Sequence, residues 1–212
     1  MSTYILSSIF TNGFNDEIAR HLQNLLKNKK RFAFIASEFE REHEKTDMYF
    51  QYFLRCFADM GILFEDAYII DGRMEKEDIK KRVKEADAIW LSGGDTPTEY
   101  KYLLKYDLIG IIKNHTGIVI GMSAGAINLA KMSLCTLACG HIKQEIYNGI
   151  GCVDFSVEPH FVKSKISNEL LELSQKYLIY GLCDNSIIIV TDNNIEFVGE
   201  VYRIQFGAIQ RV

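Results

Sequence analysis

With 212 residues, of which 48% are hydrophobic and 25% charged, the chain has the make-up of one ordinary globular domain, long enough to bury a full core. Its net charge of -4 argues against a nucleic-acid binder, which carries a basic surplus; the one basic cluster, Lys27 to Arg31, suits the carboxyl end of a helix. Five cysteines without framework spacing exclude a disulfide scaffold and fit reduced thiols in a cytoplasmic protein.

No basic leader or cleavage-site pattern opens the N-terminus. Apolar runs predict strands over residues 4–10 and 31–37, with an amphipathic helix over 17–26 between them. Residues 48–60 carry a helical pattern (Tyr49, Tyr52, Phe53, Cys56, Phe57), and Gly61 is its stop. A short strand over 67–70, a charged helix over 76–86 and a strand over 88–91 follow. Next come a helical segment over 99–105, a strand over 117–121 and a helix after Ser123. The uncharged stretch around 116–130 is too short and too rich in Gly and Ser to cross a bilayer. Strands alternating with helices at this spacing imply βαβ units and a mostly parallel sheet. Beyond a helix over 167–177, strands over 186–190, 195–199 and 201–205 are separated by turn residues, with Asp192-Asn193-Asn194 as a hairpin loop. The expected fold is therefore α/β, one domain over residues 1–212. It has three layers: a mostly parallel twisted sheet, helices on both faces, and an antiparallel C-terminal extension.

The chemistry centres on Gly121-Met122-Ser123-Ala124-Gly125, a G-x-S-x-G pattern directly after the β-branched run Ile118-Val119-Ile120. A serine between a strand and a helix projects from a sharp turn at the carboxyl edge of the sheet, above the unpaired N–H groups of a helix start. That is the setting of a serine nucleophile. A second strand end, Leu91-Ser92-Gly93-Gly94-Asp95, offers two consecutive glycines whose N–H groups can face the serine. Gly94 and Ala124 are the expected oxyanion-hole donors. Thr96-Pro97-Thr98-Glu99 after them reads as a capping box with proline at the first helical position. Of five histidines, His21 and His43 sit in charged, surface-like surroundings, His115 lies at the wrong end of the serine strand, and His141 falls in a loop. His160, pinned behind Pro159 at the end of an apolar segment, is the expected base. Its orienting acid is open among Asp184, Glu158 and Asp154 on chemistry alone. Cys135 and Cys139, with His141 nearby, lack the partners of a metal site, and the two cysteines read as small buried thiols.

Four segments in order resemble peptidase E, the α-aspartyl dipeptidases, and the related cyanophycinases. They are Ile89-Trp90-Leu91-Ser92-Gly93-Gly94-Asp95, Gly121-Met122-Ser123-Ala124-Gly125-Ala126, Glu158-Pro159-His160-Phe161 and Gly181-Leu182-Cys183-Asp184-Asn185-Ser186. The resemblance implies a fold like that of class I glutamine amidotransferases, with serine replacing their elbow cysteine. It also implies Ser123 as nucleophile, His160 as base and Asp184 as acid, where relatives often carry Glu, with Glu158 as the alternative acid. Relatives often place Asn after the paired glycines, so Asp95 receives no chemical role. A cation for a substrate carboxylate is expected downstream of the histidine. The segment there holds no arginine before Arg203, which leaves Lys163 and Lys165 as the candidates.

The expected function is hydrolysis of short peptides, N-terminal aspartate included, by acyl transfer to Ser123 and then to water, with no metal or organic cofactor. The partner is a short peptide or small amide substrate, with neither nucleic acid nor membrane, and the protein is a monomer or homodimer. Two alternatives stand beside this: another serine hydrolase acting on esters or β-linked aspartyl peptides, and a non-catalytic relative that binds a small ligand.

Overall fold

The computed structural model describes residues 2–192 and 194–212. Side chains alternating between two apolar faces build the central sheet. Strands β1 (Thr3–Ser7), β2 (Arg31–Ile35), β3 (Asp66–Ile70), β4 (Ala88–Leu91) and β5 (Ile118–Met122) run parallel in the order β1-β5-β4-β2-β3. Along β2, Phe32 and Phe34 point to one face, Ala33 and Ile35 to the other; along β5, Ile118, Ile120 and Met122 join the first set and Val119 the second. Both faces are thus apolar and both need cover.

Helices α1 (Asp16–Leu26) and α2 (His43–Asp59) cover the first face with Ile18, Leu22, Leu26, Phe50, Phe53 and Phe57. Fully buried Trp90 anchors that layer, with its ring centroid 4.5 Å from that of Phe53. Each such side chain contributes roughly 1.5–3 kcal/mol of burial. Helices α3 (Lys76–Glu85), α4 (Thr96–Lys105), α5 (Ile109–Lys113) and α6 (Ala124–Leu129) cover the opposite face through Ile79, Val83, Leu103, Ile112, Ala126 and Ile127.

The expected C-terminal extension divides into two parts. A two-stranded ribbon first intervenes, β6 (Met132–Cys135) with β7 (Glu145–Asn148). The short strands β8 (Ser156–Pro159) and β9 (Ile179–Leu182) flank α7 (Asn168–Leu173). Strands β10 (Ile187–Thr191) and β11 (Asn194–Val198) then extend the main sheet antiparallel beyond β1. Thr191 pairs with Asn194; of the expected loop, Asn193 lies outside the described residues. The strand expected over 201–205 leaves the main sheet. As β12 (Val201–Gln205) it pairs with β9 and with β13 (Ala208–Arg211), and β8 completes this second, four-stranded sheet. The chain turns after β11 onto a new layer whose core is Leu134, Phe161, Leu170, Ile179, Tyr202 and Ile204.

This second sheet matters because β8 and β9 are parallel, with Pro159 opposite Leu182. Their carboxyl ends face the carboxyl ends of β1 and β5, and all four strand ends converge on one spot. No helix among the described residues is long and apolar enough to cross a membrane.

Candidate active site

Ser123 sits between β5 and α6 with φ 52 and ψ -107, a conformation L-residues rarely adopt. The flanking glycines make the turn possible. A Cβ on Gly121 would stand 2.6 Å from the Gly125 carbonyl oxygen, and one on Gly125 2.5 Å from that of Leu91. The Ser123 N–H is occupied by the Ser7 carbonyl at 2.9 Å, which fixes the turn to the end of β1.

His160, immediately after β8, has φ 57 and places its Nε2 at 2.9 Å from Ser123 Oγ. Its Nδ1 lies 3.0 Å from Asp184 Oδ1, in the turn after β9. An ionised carboxylate only accepts, so the Nδ1 carries the proton and donates to Asp184, which leaves Nε2 free to accept from the serine hydroxyl. Ser8, wholly buried at the end of β1, ties the pair together. Its hydroxyl donates to Asp184 Oδ1 at 2.8 Å and accepts from the His160 backbone N–H at 2.9 Å. Sequence reasoning missed Ser8 because the strand expected over residues 4–10 absorbed it; β1 in fact ends at Ser7.

Glu158 takes no part in this group. It is buried, accepts from Thr136 Oγ1 at 2.7 Å, and burial pushes its carboxyl up to about 8. Of the acids left open by chemistry, Asp184 is the one hydrogen-bonded to His160.

The two expected anion-binding N–H groups are both positioned by their surroundings. Ala124 opens α6, so its N–H has no acceptor within the helix. The Gly93 carbonyl accepts from Ser37 Oγ at 2.9 Å, and across a trans peptide the Gly94 N–H points the opposite way, away from Ser37. Any side chain on Gly94 would strike Ser37, since its Cβ would stand 2.6 Å from that of Ser37.

Other expectations need correction. The helix after this turn is capped by Asp95, whose side chain accepts from the Thr98 N–H at 3.0 Å, and Pro97 stands second in the helix rather than first. Glu99 does not reach back as a cap; it is wholly buried and accepts from Asn128 Nδ2 at 2.8 Å. His43 is half-buried rather than a surface residue, with its Nδ1 3.4 Å from Asp71. His141 is held by the Thr136 carbonyl and Thr96 Oγ1.

Lys163 and Lys165 lie in a short 3-10 turn, and Lys163 Nζ stands 5.3 Å from the centre of the Tyr202 ring. Lys163 lines an open depression with His160 and Asp184, not the cavity at the serine. That cavity, about 210 Å³, runs from Ser123 and the Gly93-Gly94 turn to the first turns of α2. Among the described residues, the lysine or arginine lining it is Lys45, paired with Glu42 at 2.8 Å. The all-polar start of α2, from His43 to Asp47, has no apolar period to announce a helix, so nothing in the sequence drew these residues to the site.

The sequence profile of peptidase family S51 matches residues 4–198. The chain belongs to that family. Peptidase E of Nostoc sp. (strain PCC 7120 / SAG 25.82 / UTEX 2576) is 25% identical over 193 residues, covering 83% of this chain and 74% of that protein. Peptidase E of Shewanella amazonensis (strain ATCC BAA-1098 / SB2B) is 29% identical over 96 residues, covering 43% of this chain and 40% of that protein. Among solved structures, a peptidase from an acI-B1 Actinobacterium superposes with a TM-score of 0.74 at 15% identity, over 100% of this chain and 94% of that one. A Listeria monocytogenes EGD-e protein assigned to peptidase E follows at 0.68 and 18% identity, over 93% and 98% of the two chains. As an S51 member the protein is a serine-type peptidase of the peptidase E kind, and so a hydrolase.

Behind the serine helix of this S51 peptidase lies a buried polar group. Asn128 donates to the Thr96 carbonyl and to Glu99, and accepts from the Tyr147 hydroxyl at 2.8 Å, so that α4 is tied to α6. Burial pushes the Glu99 carboxyl from its ordinary 4.5 up to about 8, although the Asn128 bond pulls the other way. Between those two values the unfolded chain has released a proton that the folded protein keeps. The contribution of this carboxyl to stability is therefore fully present below the lower value and is lost as pH rises to the upper one, by at most about 1.4 kcal/mol per pH unit for each such group. Glu158 acts in the same direction. Glu99→Gln mimics the neutral acid, so its melting temperature gains on wild type steadily from pH 5 to pH 8. Thermal melts that stay parallel across that range would contradict this.

Proposed function

We propose that the protein hydrolyses short peptides through an acyl-enzyme on Ser123, with His160 as general base and acid and Asp184 as the orienting carboxylate. The observation that carries this reading is the hydrogen-bonded series Ser123 Oγ, His160 Nε2, His160 Nδ1 and Asp184 Oδ1, at 2.9 and 3.0 Å. Attack of Oγ on the scissile carbonyl transfers the hydroxyl proton to Nε2. The resulting oxyanion is held by the Gly94 and Ala124 N–H groups, fixed before the reaction begins. His160 then gives its proton to the leaving amine, the C–N bond breaks, and a water deprotonated by the same imidazole releases the acyl group. Asp184 holds the imidazole in the tautomer that accepts from serine and stabilises the imidazolium that forms.

Peptides of two to six residues, with short esters and β-linked aspartyl peptides beside them, test the reading. Cleavage of dipeptides or tripeptides in preference to the others is the expected result. Ester cleavage alone would overturn the peptide reading while keeping the serine chemistry, and turnover of none of them would overturn both.

A further inference from the structure

The end of β1 touches every segment of the triad. The Ser7 carbonyl accepts from the Ser123 N–H at 2.9 Å, Ser8 contacts both His160 and Asp184, and the Ile9 carbonyl accepts from the Asn185 N–H at 2.9 Å. Of these contacts, the one at His160 has the hardest task. With φ 57 its backbone lies in the left-handed region, a conformation that a non-glycine residue keeps only when its surroundings impose it. It also stands outside the β8–β9 ladder. Pro159 is opposite Leu182, yet the N–H that reaches the Leu182 carbonyl, at 3.0 Å, belongs to Phe161. His160 is pushed out between them as in a bulge, and its own N–H is accepted by Ser8 Oγ at 2.9 Å. The same hydroxyl donates at 2.8 Å to Asp184 Oδ1, the oxygen that accepts from His160 Nδ1 at 3.0 Å. One buried oxygen holds the histidine by its backbone and the carboxylate by its charge.

We propose that Ser8 is a positioning residue of the triad. Its hydroxyl keeps His160 in the left-handed conformation and Asp184 Oδ1 against Nδ1, so that Nε2 stays on Ser123 Oγ while the proton is taken and returned. This rests on Ser123 being the nucleophile and His160 its base. Without the hydroxyl, the His160 N–H loses its acceptor beside a wholly buried position, and relaxation towards negative φ swings the ring from the serine. A displacement of about 1 Å at a reacting group can cost about a hundredfold in rate. Ser8 does not line the serine cavity, so the loss falls on kcat and not on KM.

Ser8→Ala is expected to lower kcat on a cleaved dipeptide by about ten- to a hundredfold with KM within about threefold, and to slow fluorophosphonate labelling of Ser123 by the same factor. Ser8→Cys fills the space but bonds weakly, and is expected to fall with it. Ser133→Ala is the control for the loss of a wholly buried hydroxyl: that side chain donates to the Ile127 carbonyl at 3.0 Å, and kcat is expected to stay within about twofold. The far-downfield proton resonance of His160 Nδ1–H reads the pair itself, and is expected to move upfield or broaden away in Ser8→Ala. Rates within threefold of wild type in Ser8→Ala or Ser8→Cys would overturn the proposal. So would a lost rate with that resonance unmoved, since the hydroxyl would then act elsewhere. Wild-type protein that resists the fluorophosphonate would overturn the nucleophile reading instead, and the resonance would still report whether Ser8 holds the pair.

Discussion

Ser123→Ala is expected to lower kcat on a cleaved dipeptide by about 10⁴–10⁶-fold, with the melting temperature within about 2 °C of wild type. The two halves of that result have separate causes. Removing the Oγ removes the atom that forms the covalent bond, and what remains is binding and the pull of the N–H groups on the oxyanion. The fold loses little, because the lost hydrogen bond joins the serine to an exposed histidine. The backbone strain at φ 52 is the same for alanine as for serine, since both carry a Cβ. Steady-state kinetics and a thermal melt on the same preparation read both halves. A variant that keeps half the wild-type rate would show that the serine is architecture.

The second large effect belongs to Asp184. Asp184→Asn is expected to cost up to about 10⁴-fold in kcat. An amide can present its NH₂ to His160 Nδ1, and the imidazole then carries its proton on Nε2, facing a hydroxyl that it can no longer deprotonate. Ser8 sharpens the expectation. Its hydroxyl donates to Asp184, accepts from the His160 backbone N–H and stands 3.5 Å from His160 Nδ1, and being neutral it cannot stabilise an imidazolium as the carboxylate does. Partial exposure of Asp184, at 43%, lets water substitute in part, and this is why the loss is smaller than at Ser123. Glu158→Gln supplies the contrast: that residue bonds Thr136 and not His160, so kcat stays within about twofold. A reversed pattern, with Glu158→Gln crippling and Asp184→Asn tolerated, would reassign the acid.

The parts of the molecule legible in sequence are those where one physical requirement dominates. Strands β2, β4 and β5 are buried on both faces and must be apolar throughout, so they stand out as runs. The serine turn needs glycine on both sides because backbone and backbone approach within van der Waals contact there. His160 was findable because Pro159 restricts the chain just before it. Legibility fails where the requirement is tertiary. Strands β8 and β9 are four residues each and acquire meaning only through sheet pairing, yet their pairing with each other brings His160 and Asp184 together. Glu99 has the spacing of a solvent-facing cap residue, but Asn128, far along the chain, gives it a buried partner. Lys45 and Glu42 look like an ordinary exposed pair at i,i+3; their place on the cavity follows from where α2 lies over the sheet. Lys163 is near His160 in sequence, but it lines the open depression beside Asp184 rather than the cavity at the serine.

The central claim is that Ser123 is a nucleophile made reactive by His160. The most direct measurement is mass spectrometry of the protein after reaction with a fluorophosphonate probe, with the modified residue mapped by proteolysis. One adduct is expected, on Ser123, absent in Ser123→Ala and formed at least a hundredfold more slowly in His160→Ala. Peptide hydrolysis by a protein whose Ser123 stays unmodified, or an adduct on another residue that abolishes the activity, would contradict it.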